Sequence, residues 1–139
     1  MKYLLDTHAV IWLLSAEEEK LPKQLRESLF YCEDDFYISE ITLIEIIQLQ
    51  QRQRIKFQNR PRSSRATIED NNIKILPVSN DILERFYDLP IPSINGTQHA
   101  DPFDRIIIST AITRDMSLIS ADGKFPWYQQ HCALTLFPL

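Results

Sequence analysis

Short strand patterns alternate with helical ones from one end of this chain to the other. That alternation leaves few options besides a parallel sheet covered by helices on both faces. Lys2-Tyr-Leu-Leu reads as a first strand, followed by a short helix over residues 8–14 with Thr7 near its cap. A second helix fits residues 22 to about 31, with Pro22 suited to a first helical position. Residues 36–38 form a short strand, and Ser39 caps a helix over about 40–54. Apolar residues at 41, 43, 44, 46, 47 and 49 give that helix a broad buried face. Residues 63–71 read as helix and 73–78 as strand, and Ser79 or Asn80 then caps a helix to about Leu89. Pro90 to Gly96, with two prolines, reads as a loop, and a helix over 102–115 carries Pro102 in its first turn. Strands over 117–121 and 133–137 complete the series. At 139 residues the whole is one domain with room for a real core.

Four acids are tied to this framework. Asp6 ends the first strand, Glu45 interrupts the apolar run Ile41-Thr-Leu-Ile-Glu-Ile-Ile47, Asp104 precedes Ile106-Ile-Ile, and Asp122 follows Ser117-Leu-Ile-Ser-Ala. In a parallel α/β sheet ligands gather outside the carboxyl ends of the strands. Asp6 and Asp122 would share that edge, and Glu45 and Asp104 would approach it from helices. Desolvating a carboxylate is costly without a partner, and these motifs contain no fixed cation. The missing positive charge is read as a metal ion, and the site as that of an enzyme. The competing account treats Asp6 and Asp122 as caps after strands and Asp104 as a first-turn acid favoured by the helix dipole. Glu45, mid-helix among isoleucines, gains nothing from capping.

The composition, 44% hydrophobic and 24% charged, is that of an ordinary soluble domain. No apolar run approaches the roughly 18 residues of a membrane span, and no signal peptide opens the chain. Cys32 and Cys132 lack metal-type spacing, and two buried free thiols in a reducing cytoplasm are expected. The net charge of −4 is unevenly spread. Residues 51–68 hold Arg52, Arg54, Lys56, Arg60, Arg62 and Arg65 and no acid. This segment is either a phosphate-contacting surface or a solvated helix end and linker.

Mg²⁺ and Mn²⁺ prefer carboxylate, phosphate and water oxygens. Such ions neutralise a phosphodiester, hold an attacking water and stabilise the departing alkoxide. Empty, the cluster would repel itself and raise its own pKa values. The motifs resemble those of the PIN-domain ribonucleases, specifically the VapC-like toxins of toxin–antitoxin systems. Leu4-Leu-Asp6-Thr7-His8 is similar to the first acid motif and Ser39-Glu-Ile-Thr-Leu-Ile-Glu45-Ile46 to the second. His99-Ala-Asp101-Pro-Phe-Asp104-Arg105 resembles the most specific block, and Leu118-Ile-Ser-Ala-Asp122 the last. The family often has Trp where Ile44 stands and usually Thr where Ser120 stands.

The resemblance implies a three-layer α/β/α sandwich with a mainly parallel sheet. It also implies Mg²⁺- or Mn²⁺-dependent endonucleolytic cleavage of RNA with one or two ions, a homodimer, and a VapB-like antitoxin. Asp6, Glu45 and Asp104 would hold the metal, with Asp122 binding directly or through water. Asp101 would share the metal, support it from behind, or simply cap its helix. Thr7, Ser120, Arg52, Arg54 and Arg105 are the candidate substrate contacts; Thr7 as a helix cap and Arg105 as an ion-pair partner are the alternatives. His99 is not needed by an all-oxygen site; touching substrate or orienting Asp101 are its lesser options. Trp127 and Tyr128 read as core or interface aromatics, with base stacking as a lesser option. Two rival classes remain open: an inactive PIN-like module that binds RNA or protein, and a receiver-type phosphoryl-transfer protein. The second lacks a lysine suitably placed after a late strand.

Overall fold

The computed structural model describes residues 1–15, 17–52 and 61–139, excluding the side chains at 61–63 and 94. In chain order the elements are β1 (Lys2–Leu5), α1 (Thr7–Leu14), a 3-10 turn (Glu18–Lys20), α2 (Lys23–Phe30), β2 (Asp35–Ser39) and α3 (Glu40–Gln51). Then come α4 (Pro61–Asp70), β3 (Ile73–Leu76), α5 (Asn80–Asp88), β4 (Ser93–Ile94) and β5 (Thr97–Gln98). The last elements are α6 (Pro102–Thr113), β6 (Ser117–Ile119), α7 (Phe125–His131) and β7 (Thr135–Leu136).

Five strands form one sheet in the order β3-β2-β1-β6-β7, and every neighbouring pair is parallel. Strand side chains alternate between faces. Tyr3, Leu5, Phe36, Ile38, Ile73 and Ile119 therefore pack under α1 to α4, where Ala9, Val10, Leu25, Leu29, Leu43, Ile46 and Ile68 meet them. On the opposite face Leu4 and Leu118 meet Ile107, Ile108 and Ala111 of α6 and Phe125 and Tyr128 of α7. α5 packs beside α6. This is the expected three-layer α/β/α sandwich, and burial of both faces is why its strands read as continuous apolar runs. From β1 the chain steps outward through β2 to β3, then crosses back to the other side of β1 for β6 and β7. The order reverses between β1 and β6, which leaves a crevice at the carboxyl ends of that pair.

Four local expectations change. Asp6, not Thr7, is the N-cap of α1: its Oδ1 accepts the Ala9 amide at 2.9 Å. The predicted loop at 90–96 contains a turn of the antiparallel hairpin β4–β5 around Asn95-Gly96. Both turn residues have positive φ, 53° and 78°, as a two-residue hairpin turn requires. α7 occupies a stretch for which no helix was expected; Pro126 lies in its first turn, and Phe125 and Tyr128, three apart, form its buried face. Cys32 is exposed rather than buried, just past the end of α2 with φ 54°, and neither cysteine is in a disulfide. Among the described residues no helix is long and apolar enough to cross a membrane.

Leu4 is fully buried in the central strand. Leu4→Ala should lower unfolding free energy by about 2–5 kcal/mol through lost burial and a residual cavity. Urea denaturation of the two proteins measures this, and a loss below about 1 kcal/mol would contradict the placement of Leu4 in a tight two-sided core.

Candidate active site

Asp6 stands at the switch point because β1 ends there. Its amide donates to Ile119 O of β6 at 3.1 Å, tying the two strand ends together. Asp6 is only 6% exposed. One oxygen caps α1, and the other accepts a short hydrogen bond from the Ser120 hydroxyl. The Asp122 amide in turn donates to Ser120 Oγ at 3.1 Å, and Asp122 Oδ1 accepts the Lys124 amide at 2.9 Å. Ser120 thus lies between two of the expected acids.

Glu45 reaches the same edge from the second turn of α3, a helix started by Ser39, whose hydroxyl accepts the Ile41 amide at 3.2 Å. Its Oε1 accepts the Thr7 hydroxyl at 2.6 Å. Asp104 lies in the first turn of α6, where its Oδ2 is 3.2 Å from His99 Nε2. Asp101 is the N-cap of that helix, and its Oδ1 accepts the amides of Phe103 at 2.9 Å and Asp104 at 3.4 Å. Pro102 follows it at a position that needs no amide donor.

The electrostatics link all five acids. Burial raises the pKa of Asp6, Glu45 and Asp104 above the ordinary carboxylate range. Bonds from Ser120 and Ala9 on Asp6, from Thr7 on Glu45 and from His99 on Asp104 oppose that shift. Repulsion adds to it: Asp122 acts on Asp6, Asp104, Asp101 and Asp6 act on Glu45, and Asp101 and Asp122 act on Asp104. Among the described residues no lysine or arginine forms an ion pair with any of the five.

The donor set, carboxylate and hydroxyl oxygens, suits a hard divalent cation. The fit is not that of a ready-made cage, because no group of three His, Cys, Asp or Glu side chains among the described residues is drawn together closely enough to clasp an ion. The reason is visible in the bonding: the Asp6, Glu45 and Asp104 carboxylates are each turned onto a hydrogen-bonding partner of their own. The residues present fit a cation, provided that the carboxylates move off those donors.

A cleft of about 600 Å³ opens beside these acids, lined by Thr7, Glu45, Gln48, Arg52, Asp101 and Phe103 among others. Arg52 is exposed at the C-terminal cap of α3. Arg54 lies outside the described residues. Arg105 does not suit the expected substrate contact. It is buried, with its guanidinium donating to Leu89 O at 2.9 Å, to Pro90 O at 2.9 Å and to the Tyr128 hydroxyl at 3.0 Å. His99 was expected, if it acted, to touch substrate or to orient Asp101; its Nε2 meets Asp104 instead of Asp101. Tyr128, which no motif marked, completes that contact from α7: its hydroxyl is 2.9 Å from His99 Nδ1. The signal for it was the spacing of Phe125 and Tyr128, which is visible only once a helix is assigned there.

An α/β sandwich of this topology, with acids grouped at its switch point, defines the class, and the chain belongs to the PIN-domain family. The family model described as "PIN domain" matches residues 3–129. No curated protein sequence matches it significantly. Among solved structures the fold is similar to VapBC2 from Rickettsia felis bound to a DNA fragment from their promoter, with 19% identity, a TM-score of 0.69, and 99% and 98% of the two chains covered. It is also similar to VapBC-5 of Mycobacterium tuberculosis, a member of the VapBC family of toxin–antitoxin systems, with 17% identity, a TM-score of 0.62, and 99% and 98% coverage. DNA-bound VapBC from Salmonella typhimurium gives 18% identity, a TM-score of 0.62, and 99% and 97% coverage. At these identities the likeness is one of fold.

The raised carboxyl groups predict a pH dependence with a definite sign. Folded protein takes up protons on Asp6, Glu45 and Asp104 at higher pH than the unfolded chain does. Their contribution to stability therefore rises as pH falls from neutral through the raised values, and stops growing below the ordinary carboxylate range. Asp34 and Asp81 act oppositely but only at lower pH, since hydrogen bonds from the N-terminal amine and from Arg114 hold their pKa values down. In EDTA, lowering pH from about 7.5 to about 5 should stabilise the wild type relative to Glu45→Gln. Parallel thermal-unfolding profiles for the two proteins would contradict the raised value at Glu45.

Proposed function

We propose that this chain is a divalent-metal-dependent endoribonuclease of the VapC type, the toxin of a pair with a VapB-like antitoxin. The observation that carries the reading is the grouping of Asp6, Glu45 and Asp104 at the switch point, Asp6 buried and the other two half-buried, each raised in pKa, and none paired with a lysine or arginine among the described residues. Uncompensated carboxylates of this kind are a standing cost to the fold that a bound cation offsets. Membership of the PIN family and the likeness to VapBC structures support the same reading.

Asp6, Glu45 and Asp104 would hold Mg²⁺ or Mn²⁺, as one or two ions, with Asp122 completing the set. Bound there, the ion supplies neutralisation of a phosphodiester and activation of a hydrolytic water. The chain's own groups do the rest. The Thr7 and Ser120 hydroxyls release the carboxylates and are then free to donate to phosphate oxygens. Arg52, at the mouth of the cleft, pairs with a backbone phosphate and draws RNA along the side of α3. Asp101 fixes the first turn of α6, and so the height at which Asp104 enters the site.

Partners belong to the same proposal. A groove of about 710 Å³ between α3, α5 and α6 is lined by Ile41, Leu43, Ile44, Ile47, Val78 and Leu83. Ile44 and Leu83 are 43% and 44% exposed. That apolar surface supports association, as a homodimer or with the antitoxin. An antitoxin arginine laid into the acidic cleft would bridge two carboxylates with its planar fork.

Purified protein should cut RNA only with Mg²⁺ or Mn²⁺ and stop in EDTA. Asp6→Asn, Glu45→Gln and Asp104→Asn should each lower the rate by about 10²-fold or more with circular dichroism unchanged. RNA bound but uncut with either ion would contradict the enzyme reading in favour of a PIN-like binding module. Arg52→Ala should weaken RNA binding and reduce the salt slope by about one; an unchanged slope would remove Arg52 from the RNA path. Overexpression should arrest growth, and co-expressing the small gene next door should relieve it. Harmless overexpression with no such neighbour would point to a housekeeping nuclease.

A further inference from the structure

His99 follows the β4–β5 hairpin, and its amide donates to Pro92 O at 2.9 Å, so the hairpin fixes where the imidazole sits. The ring is buried at 5% exposure. Nε2 lies 3.2 Å from Asp104 Oδ2, and Nδ1 lies 2.9 Å from the Tyr128 hydroxyl. That hydroxyl oxygen also accepts Arg105 Nη1 at 3.0 Å. The guanidinium is anchored from behind by the carbonyls of Leu89 and Pro90.

These contacts have a direction. A guanidinium has donors and no acceptor, so the Tyr128 oxygen accepts at that end. Its single hydrogen then turns to His99 Nδ1, the ring acceptor within reach. Nδ1 is therefore bare, and the ring hydrogen sits on Nε2, facing the carboxylate. The opposite tautomer sets the Nε2 lone pair against Asp104 Oδ2 and leaves the phenol hydrogen without an acceptor. A doubly protonated ring also leaves that hydrogen unmatched. Buried donors left unmatched are disfavoured, and the Nε2–H tautomer satisfies every group in the chain.

We propose that His99 is a positioning residue, which holds the Asp104 carboxylate in place through a one-way hydrogen-bond chain from Arg105 through Tyr128 and the imidazole. The proposal rests on the reading of Asp104 as a metal-holding acid. Arg105, which the sequence suggested as a substrate contact, takes a different role in it. Its cation stays three groups away from the acid and orders the chain without neutralising the site. Hydrogen-bond partners behind a metal ligand commonly change metal affinity by 10–100-fold when removed, because the ligand's orientation is lost.

The test uses the full chain, with Mn²⁺ alone as the titrant in calorimetry, beside ¹⁵N NMR of the imidazoles in metal-free protein. In the wild type, His99 should show Nε2 protonated and Nδ1 bare. The Mn²⁺ dissociation constant should rise about tenfold or more in His99→Leu. Tyr128→Phe should give a smaller rise and move the Nδ1 resonance, since that nitrogen loses its donor. His99→Gln, whose amide can still donate to Asp104, should recover most of the affinity. A proton on Nδ1 in the wild type would overturn the proposal, and so would unchanged Mn²⁺ affinity in folded His99→Leu. Either result leaves the metal site standing if the wild type binds Mn²⁺. A wild type that binds no Mn²⁺ overturns the metal reading and this proposal with it. The tautomer is read in unmutated protein, so it decides the question even where a variant does not fold.

Discussion

A buried carboxylate at the end of the central strand, with no lysine or arginine among the described residues to meet it, is the constraint on which the rest of this structure depends. Asp6 closes β1, ties it to β6 through its amide, caps α1 with one oxygen, and meets Ser120 with the other. Several acids elsewhere meet a cation directly. Asp34 pairs with the N-terminal amine, Asp35 with Lys74 and Asp81 with Arg114. At the crevice the donors are hydroxyls, amides and an imidazole instead. Hydrogen-bond donors of this kind lower the cost of burying a carboxylate.

The topology makes that arrangement available. The sheet reverses its order between β1 and β6, so no crossover helix fills the space beyond their ends. α3 and α6 flank the opening and bring Glu45 and Asp104 to it near their starts. Local devices set each height: Ser39 begins α3, and Asp101 with Pro102 begins α6. The β4–β5 hairpin delivers His99 just ahead of α6, and α7 places Tyr128 behind it. Asp6, Glu45 and Asp104 thus come from three separate stretches of chain, but each is held at or in an element whose other face is in the core.

The layers were legible because apolar strands buried on both faces and amphipathic helices alternate in a pattern that admits one main arrangement. The acids were legible because Glu45 amid isoleucines has no structural use in a helix middle, and because the order of motifs matched a family. What escaped detection was chemistry without a run of residues behind it. Asn95-Gly96 is a hairpin signal, but its strands are two residues each, too short to display alternation. α7 spans seven residues and contains a proline, so its period barely repeats. Arg105 sits beside an acid in sequence, yet successive helix residues face different ways, and its side chain is buried while Asp104 meets His99. The partnership of His99 with Asp104 and Tyr128 spans three elements, and no spacing encodes it.

The central claim is that a divalent ion is what these carboxylates are arranged to receive. Its most direct test is an anomalous difference map from crystals of the wild-type protein soaked in Mn²⁺. The account predicts a peak among the carboxylates of Asp6, Glu45 and Asp104, with Thr7 and Ser120 no longer bonded to them as they are here. A map in which Mn²⁺ occupies other acids while Asp6 and Glu45 keep their hydroxyl partners would contradict it.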